Sequence, residues 1–499
     1  AAATPEHLPE DWRAYAGVQA VVWLDARASE LRSQAQVDAL AGWVAAGGRL
    51  VVSRSGEAGL SGTALAELLP VTLRGSREDD LSPLGGIGAP PPQGRTLILE
   101  SALVRGTALL QHGSRPLVAS CPRGTGHVYF VAFDVTQAPF DGWSGAAGFW
   151  RWLLKPAPPA PAPSTDTVQA PVQIGSPGLA GLAAQFPGMP PPELGGLFLL
   201  IFAYLAVVGP VDYFLLRGLR RLELTWLTFP AYVAIFTLLI LLAGGAFLER
   251  PTVQREIAVE DRMPDVGLAR RRAVAAVLTP RAMLFDLQGE PVSANFLTRS
   301  LYGEVASDLG HPRLDRDGAA MALRRWTIER GATAVAVDDR LEPMAPGVTF
   351  EPGSDGTVAV TSGLDAEIRG ALWVTAAGAA SLPPIPRGRS TLTPGRARPL
   401  SALRTPSAPT EPRPPDDFSA PEQPEPLDAQ IRTLLLHLSF APEGPRTGFA
   451  QGLDVGRWLK SGGAVLVWWE PVDEPTVAFT PRPGRRSGVR MVRVFGRAG

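Results

Sequence analysis

The sequence predicts a multidomain membrane protein, in which an α/β domain is followed by two transmembrane helices and a β-sandwich-like domain. Three patterns predict this fold class: a strand–helix–strand series near the start, two long uncharged apolar runs in the middle, and short, regularly spaced strands after them. At 499 residues, the chain has the length of about three domains. Its 50 prolines and its charged fraction of only 19% exclude a single compact cytosolic domain. A net charge of −1 argues against a nucleic-acid-binding protein.

The composition changes along the chain, and these changes set the predicted boundaries. In chain order we expect an α/β domain (1–155), a Pro/Gly-rich linker (156–193), a membrane hairpin (194–248), a β-rich external domain (252–380), a disordered proline-rich tether (381–426) and a small C-terminal α/β element (427–499). The linker is stiff where prolines are dense. Its apolar part, Leu179–Phe186, is either a short helix lying on the membrane or a covering loop.

A strand–helix–strand unit stands near the start of the α/β domain. Ala20–Asp25 (AVVWLD) is a short apolar run of the kind found in buried strands. Apolar residues then recur at a helical period until Gly47 and Gly48, which favour a left-handed helix end, and Arg49–Ser53 (RLVVS) forms the next strand. Strands joined by a helix through short loops are parallel, so this unit predicts a parallel sheet with helices on its faces.

The β-rich domain is predicted from short apolar runs separated by turn residues. The predicted strands are Thr252–Val259, Ala273–Leu278, Ala332–Val337, Val358–Thr361 and Ala371–Thr375. Asp338 and Asp339 follow the third of these strands directly, and we interpret them as a solvated turn rather than as calcium ligands.

Two apolar runs predict the membrane hairpin. Leu194–Val211 and Leu224–Leu248 contain no charged residue and are 18 and 25 residues long, which suffices to cross a hydrocarbon core about 30 Å thick. Their connection carries Arg217, Arg220 and Arg221. By the positive-inside rule this loop is cytoplasmic, and both large flanking regions lie on the outer side of the membrane.

Asp212 is a carboxylate at the edge of the first apolar run of this hairpin. It directly follows the first apolar run and precedes the arginine loop. Such a position favours an anchor at the inner interface, where Asp212 can reach water or pair with Arg217 and where both residues orient the hairpin. The alternative is a functional carboxylate inside the membrane.

The residues of both regions resemble a known kind of bacterial membrane protein. LPEDWRAYAGVQAVVWLD, VDALAGWVAAGGRLVVS and GTGHVYFVAFD are similar to class I glutamine amidotransferase-like domains of bacterial membrane-anchored proteins. VVGPVDYFLLRGLRRLELTWLTFP resembles the hairpin that joins such a domain to a β-rich external domain. The resemblance implies a flavodoxin-like domain that is N-terminally incomplete, and a location in the bacterial cytoplasmic (inner) membrane with the large domains extracytoplasmic.

The catalytic apparatus of an amidotransferase is not recognisable in the sequence. Such an enzyme needs a cysteine on a turn between strand and helix, whereas residues 51–56 contain none and Cys121 follows a different strand. Asp25, Ser53 and Asp134 lie at predicted strand ends, so they are candidate ligand-binding residues of one crevice. The alternative is that both aspartates cap loops or helices and that Ser53 belongs to an ordinary turn.

Metal-binding and cofactor motifs are also missing from the sequence. The chain has a single cysteine, and no two of its 5 histidines show the spacing of a zinc motif. We therefore expect no metal, no cofactor and no catalytic residue. The predicted function is a non-catalytic, membrane-anchored envelope protein that binds a partner or ligand outside the cytoplasmic membrane. Its expected partners are the lipid bilayer and a membrane or envelope protein, and not nucleic acid. One alternative is a hydrolase or transferase of altered chemistry in the α/β crevice, and another is an accessory subunit of a transporter or secretion assembly.

Overall fold

The protein is a mixed α/β chain with many strands in several sheets. The structure, a computed structural model, describes residues 3–24, 30–53, 64–87, 89–154, 177–186, 201–218, 225–248, 251–288, 291–300, 303–307, 313–317, 320–329, 332–344, 347–353, 355–403, 427–440 and 452–498.

The N-terminal α/β domain is organised around a five-stranded sheet with the strand order β1-β2-β7-β6-β5. The strands of the whole domain are β1 (Val21–Leu24), β2 (Arg49–Ser53), β3 (Val71–Asp80), β4 (Arg95–Leu103), β5 (Thr107–His112), β6 (Arg115–Arg123) and β7 (Gly126–Val131). Its helices are α1 (Gln34–Ala45), α2 (Ala64–Leu68) and α3 (Ala146–Leu154). The strands β1, β2 and β7 are parallel neighbours, whereas β3 and β4 form a separate antiparallel pair.

The predicted joint between α1 and β2 is present in the structure. Gly47 has a φ of 117°, a conformation that glycine adopts without strain. Gly48 lies against the indole of Trp43, where a Cβ atom would come within 2.4 Å of the ring. The helix can therefore end and the chain can turn into β2 within a few residues, which places the carboxyl ends of β1, β2 and β7 at one edge of the sheet.

Between the α/β domain and the β-rich part, the described residues form three helices. They are α4 (Pro177–Ala183), α5 (Ile201–Gly218) and α6 (Thr225–Leu248). By length and composition, α5 is long and apolar enough to cross a membrane, while the apolar stretch Thr225–Leu239 of α6 is shorter. Residues 207–211 of α5 form a π-helical turn that contains Pro210, which lacks the N–H needed for the regular helical ladder.

The β-rich part of the chain contains a nine-stranded sheet with the order β12-β11-β15-β9-β8-β23-β21-β18-β19. These strands are β8 (Val253–Met263), β9 (Leu268–Leu278), β11 (Pro291–Ser300), β12 (Gly303–Ser307), β15 (Thr333–Pro343), β18 (Leu372–Thr375), β19 (Gly378–Ser381), β21 (Gly463–Pro471) and β23 (Arg485–Arg497). A four-stranded sheet consists of β10 (Met283–Gln288), β13 (Arg313–Asp317), β14 (Ala320–Ile328) and β22 (Ala478–Thr480). A three-stranded sheet consists of β16 (Val348–Pro352), β17 (Val358–Ser362) and β20 (Gly388–Leu392). Two further helices are α7 (Leu427–Phe440) and α8 (Gly456–Lys460).

The nine-stranded sheet buries both of its faces. On one face, Ala258 and other small residues pack against Phe285 and Trp326 of the four-stranded sheet, and a second cluster joins the three-stranded sheet through Trp373. On the opposite face, Ile257 and its neighbours pack against α4, α7 and α8. Alternate residues of β8 thus enter different cores, as the pleat of a strand requires.

Three predicted boundaries differ from the structure. Residues 427–498 do not stand apart, because β23 pairs in parallel with β8 near the centre of the nine-stranded sheet. The predicted tether is ordered up to residue 403, since β20 pairs with β17 and Ile385 is fully buried. Within the predicted linker, α4 buries Leu179 and Ala183 in the core on the helix-covered face. These apolar side chains find partners far away in the sequence, and a local pattern does not reveal such partners.

Candidate functional site

Ser53 lies at the carboxyl end of β2, where the sequence places the candidate crevice. Its hydroxyl donates a hydrogen bond to the carbonyl oxygen of Phe133 (2.8 Å) and accepts one from the backbone N–H of Val135 (3.2 Å). The side chain is fully buried. The hydroxyl therefore ties the end of β2 to the segment that follows β7, and it has no solvent-facing side on which a ligand could bind.

Asp134 lies in that same segment and is also buried. Its Oδ1 accepts hydrogen bonds from the backbone N–H of Thr136 (2.8 Å) and from the Thr136 hydroxyl (2.6 Å), and its Oδ2 accepts one from the amide of Gln137 (2.8 Å). A carboxylate that accepts bonds from the residues just after it stabilises a turn. Of the two interpretations of Asp134, this geometry supports the capping role.

The structure thus brings Ser53 and Asp134 to one edge of the sheet, as the parallel strands require, but turns both side chains into the protein. Asp25 lies outside the described residues, directly after the last residue of β1. Cys121 is buried, and burial raises the pKa of its thiol. A buried thiol of this kind is a poor nucleophile.

The loop between β6 and β7 contacts the β-rich part of the chain. The backbone N–H of Gly124 donates to Asp265 Oδ2 (2.8 Å), and the Thr125 hydroxyl donates to the carbonyl oxygen of Ala45 (2.9 Å). Arg270 of β9 donates to the carbonyl oxygen of Ala46 (2.9 Å). A positive charge at the C-terminal end of α1 is favourable, since the helix dipole is negative there. Backbone groups of the glycine-rich loop are therefore used for contact between the domains.

His127 of β7 lies in the same interface. Its ring is 6.4 Å from the ring of Trp458 in α8 and 6.0 Å from that of Tyr129, measured between ring centroids. Burial, with a smaller contribution from Arg49, lowers the pKa of His127 to about 4. The imidazole is consequently neutral at physiological pH and serves as an aromatic contact between the domains.

A buried ion cluster occupies the helix-covered face of the nine-stranded sheet. Asp261 Oδ1 accepts from Arg493 Nε (2.6 Å), and Asp261 Oδ2 accepts from Arg493 Nη2 (2.8 Å) and from Arg272 Nη2 (2.5 Å). All three side chains are almost fully buried. Burial lowers the pKa of Arg272 to about 10, so its guanidinium remains charged at neutral pH. One carboxylate between two buried arginines is a costly arrangement whose partners depend on one another.

The candidate anchor residues lie in α5. Asp212 is buried and follows the π-helical turn, and its Oδ1 has no hydrogen-bond partner among the described residues. Arg217 is not bonded to it, because its Nη1 donates to the hydroxyl of Tyr213 (3.3 Å) one helical turn earlier. The Asp212–Arg217 pair, one of the two expected environments of Asp212, is therefore not formed in the described part of the chain. Arg220 and Arg221 lie outside the described residues.

The sequence did not predict the ion pairs that the charged residues of β8 and β9 form. In the sequence, the ends of two apolar strands carry the charged residues Glu260, Asp261 and Arg270–Arg272, and nothing more can be inferred from them. The pairing of Asp261 with Arg493, more than two hundred residues further on, has no local signal. The alternation of β8 was the one available hint, because a strand that is buried on both faces needs a partner for every charge that it carries.

Comparison with known proteins assigns no family to the chain. No family model matches it, and no curated protein matches it. Among solved structures, a cytoplasmic protein of Salmonella typhimurium is 19% identical, with 30% of this chain and 76% of that chain covered and a TM-score of 0.26. An exo-β-1,4-mannosidase of an Opitutaceae bacterium is 15% identical, with 28% and 26% covered and a TM-score of 0.22. The yeast δ-COP-I μ-homology domain, in complex with a Dsl1 peptide, is 8% identical, with 49% and 96% covered and a TM-score of 0.23. These similarities are too low to support a function.

Proposed function

We propose that this chain is a non-catalytic, membrane-anchored protein of the bacterial cell envelope, whose two large domains bind a partner or ligand outside the cytoplasmic membrane. The proposal is supported above all by the use of Ser53 and Asp134, the candidate reactive groups, as buried structural hydrogen-bonding groups. The α/β domain is then a degenerate amidotransferase-like domain. Its parallel strands β1, β2 and β7 are compatible with that ancestry, and a nucleophile is missing from the described end of β2.

The anchor in this proposal is the hairpin of α5 and α6. Large apolar side chains on both helices face outward, among them Phe202 and Phe214 on α5 and Trp226 and Phe229 on α6. In water such a surface is unfavourable by about 25 cal/mol per Å² of apolar area, whereas in a bilayer it is matched by lipid. The β-sandwich-like external domain and the α/β domain share the contact made by Arg270 and His127, so both are expected on the same side of the membrane.

A Ser53→Ala variant separates a structural role from a catalytic one. We expect it to lower the free energy of unfolding by about 1–3 kcal/mol, because the half-buried N–H of Val135 loses its acceptor and the buried Phe133 carbonyl loses a donor. Denaturant unfolding of the full chain in detergent measures this loss. The matched control is Ser114→Ala in the exposed turn between β5 and β6, for which a change within about 0.5 kcal/mol is expected.

The same proteins test for catalysis. Neither the wild type nor the variant should release ammonia from glutamine or hydrolyse a simple ester. The proposal is wrong if the wild type turns over either substrate at a rate that Ser53→Ala or Cys121→Ala abolishes while Ser114→Ala does not.

A further inference from the structure

Two β-hairpins of the α/β domain meet at a small group of metal-ligating side chains. Asp79 and Asp80 end β3, and His112 ends β5. Each offers one ligand atom, and these three atoms all lie within 4.8 Å of one another. A cleft at this point is lined by Asp79, His112, Glu100, Arg77 and Arg115, together with apolar residues of β4 and β6. We propose that Asp79, Asp80 and His112 form a binding site for a divalent transition-metal ion, with Zn²⁺ as the preferred ion.

The state of His112 is the observation that points to a ligand. The His112 side chain is 33% exposed, but its Nδ1 atom is shielded from solvent and has no hydrogen-bond partner among the described residues. The nearest carboxylate oxygen, Oδ2 of Asp79, is 3.7 Å away, which is too far for a hydrogen bond. A buried ring nitrogen without a partner is unfavourable by about 1–3 kcal/mol. A metal ion between Nδ1 and the carboxylates removes this penalty.

The carboxylates are suitably arranged to share an ion with this nitrogen. Asp80 Oδ1 accepts a hydrogen bond from the backbone N–H of Ser82 (2.9 Å), which fixes the orientation of the carboxylate. Zinc ligands lie about 2.0–2.2 Å from the ion and hence roughly 3.4 Å apart in a tetrahedron. The three ligand atoms lie within 4.8 Å of one another, so small side-chain rotations bring them to that spacing.

Arg77 and Arg115 both line the cleft and oppose a cation there, but Arg115 has an alternative partner. Its Nη1 is 3.8 Å from Asp79 Oδ2 and 4.0 Å from Glu100 Oε1, so neither contact is a hydrogen bond. When an ion neutralises Asp79, Arg115 can approach Glu100 without loss of a bond. Because Arg115 can pair with Glu100 instead of Asp79, it does not prevent a metal ion from binding at Asp79.

The three donor atoms of the site favour some metal ions over others. One imidazole nitrogen with two carboxylate oxygens suits Zn²⁺, whereas Mg²⁺ and Ca²⁺ prefer oxygen ligands alone. Three protein ligands also leave one zinc position for water or an anion from the cleft. Bound there, the ion joins the β3–β4 hairpin to the β5–β6 hairpin, two units that otherwise belong to different sheets.

Zinc binding to the metal-free, tag-free full chain in detergent tests the site, with calorimetric titration of ZnCl₂ as the readout. We expect one equivalent to bind, and we expect His112→Ala and Asp80→Asn each to weaken binding at least tenfold. The matched control is His7→Ala, because exposed His7 lies 3.5 Å from Glu6 and likewise places an imidazole beside a carboxylate. That variant should bind like the wild type.

Thermal unfolding supplies the second readout and guards against a folding defect. Zinc should raise the melting temperature of the wild type and of His7→Ala, but not of His112→Ala or Asp80→Asn. Asp80 is exposed, so its variant should match the metal-free wild type in melting temperature. Equal zinc affinity in Asp80→Asn and wild type, or an equal loss in His7→Ala, overturns the proposal. The former means that the aspartate is not a ligand, and the latter means adventitious surface binding.

Discussion

Asp261→Asn is expected to lower the free energy of unfolding by about 3–5 kcal/mol, the range found when one partner of a buried ion pair is removed. The asparagine has nearly the shape of the aspartate, so packing is retained and the charge alone is lost. Arg272 and Arg493 then remain buried without the carboxylate to which both are bonded. Denaturant unfolding of the full chain in detergent measures the difference between variant and wild type.

The control for Asp261→Asn is Glu351→Gln. Glu351 pairs with Arg389 at 2.9 Å, but both side chains are mostly exposed. Exposed pairs of this kind contribute about 0–1 kcal/mol, so the control should be near neutral. Equal effects of the two variants contradict the claim that the Asp261 cluster is buried and interdependent.

The pH dependence of stability checks the same cluster. Burial alone raises the pKa of Asp261, but the ion pairs with Arg493 and Arg272 outweigh it and hold the pKa below the ordinary value of 3.8. Because the folded chain binds this proton less readily than the unfolded chain, the carboxylate contributes its full stabilisation above pH about 4. This contribution decreases as the pH falls below that value, and Asp261→Asn should lack that decrease.

His127 is expected to make the protein acid-sensitive in a different pH window. Its pKa is about 4 in the folded chain, against an ordinary value of 6.5. Protonation therefore favours the unfolded chain, and stability should fall as the pH is lowered from about 6.5 to about 4. Since each pH unit between the two values corresponds to about 1.4 kcal/mol, the total loss is about 3 kcal/mol at pH 4.

His127→Phe tests this expectation, since it keeps an aromatic ring beside Trp458 but cannot be protonated. Its stability should remain nearly constant between pH 6.5 and 4, where the wild type loses stability. The control is His7→Ala at the exposed surface, which should follow the wild type. An unchanged pH profile in His127→Phe contradicts the placement of this ring in the interface between the domains.

Local patterns predicted the elements whose causes are local. The helix period and the glycine pair Gly47 and Gly48 correctly located the end of α1 and the full extent of β2. The parallel arrangement of β1 and β2 followed from the same short joint. In each case the residues that determine the conformation are neighbours in the sequence.

The strands of the β-rich domain were predicted too short for a physical reason. β8 was expected to end at Val259 and β15 at Val337, where the charges begin, but they continue to Met263 and Pro343. The charged residues extend these strands because partners lie on adjacent strands, as with Arg270 and Asp339, joined by hydrogen bonds of 2.9 and 2.6 Å. The expected solvated turn at Asp338 and Asp339 is therefore wrong. A charged residue is predicted to be exposed as long as its ion-pair partner is not known.

The sequence predicted where Ser53 and Asp134 lie, but it did not predict the direction in which their side chains point. Parallel strands fix that Ser53 and Asp134 lie at one edge of the sheet. Whether a side chain at a strand end faces solvent or the backbone of the next segment depends on the path of residues 133–137. The meeting of Asp79, Asp80 and His112 likewise depends on how two hairpins pack, and no spacing motif encodes it.

Membrane topology tests the proposed anchored arrangement most directly. In a Cys121→Ala background, single cysteines replace Arg221 in the hairpin loop, exposed Ser114 in the α/β domain, and exposed Asp365 in the β-rich domain. A membrane-impermeant thiol reagent is then applied to cells whose cytoplasmic membrane is intact. We expect the cysteines at 114 and 365 to react and the one at 221 to react only after that membrane is disrupted. Labelling at 221 with protection at 114 and 365 contradicts an extracytoplasmic location of the large domains, and equal labelling at all three positions contradicts the membrane hairpin itself.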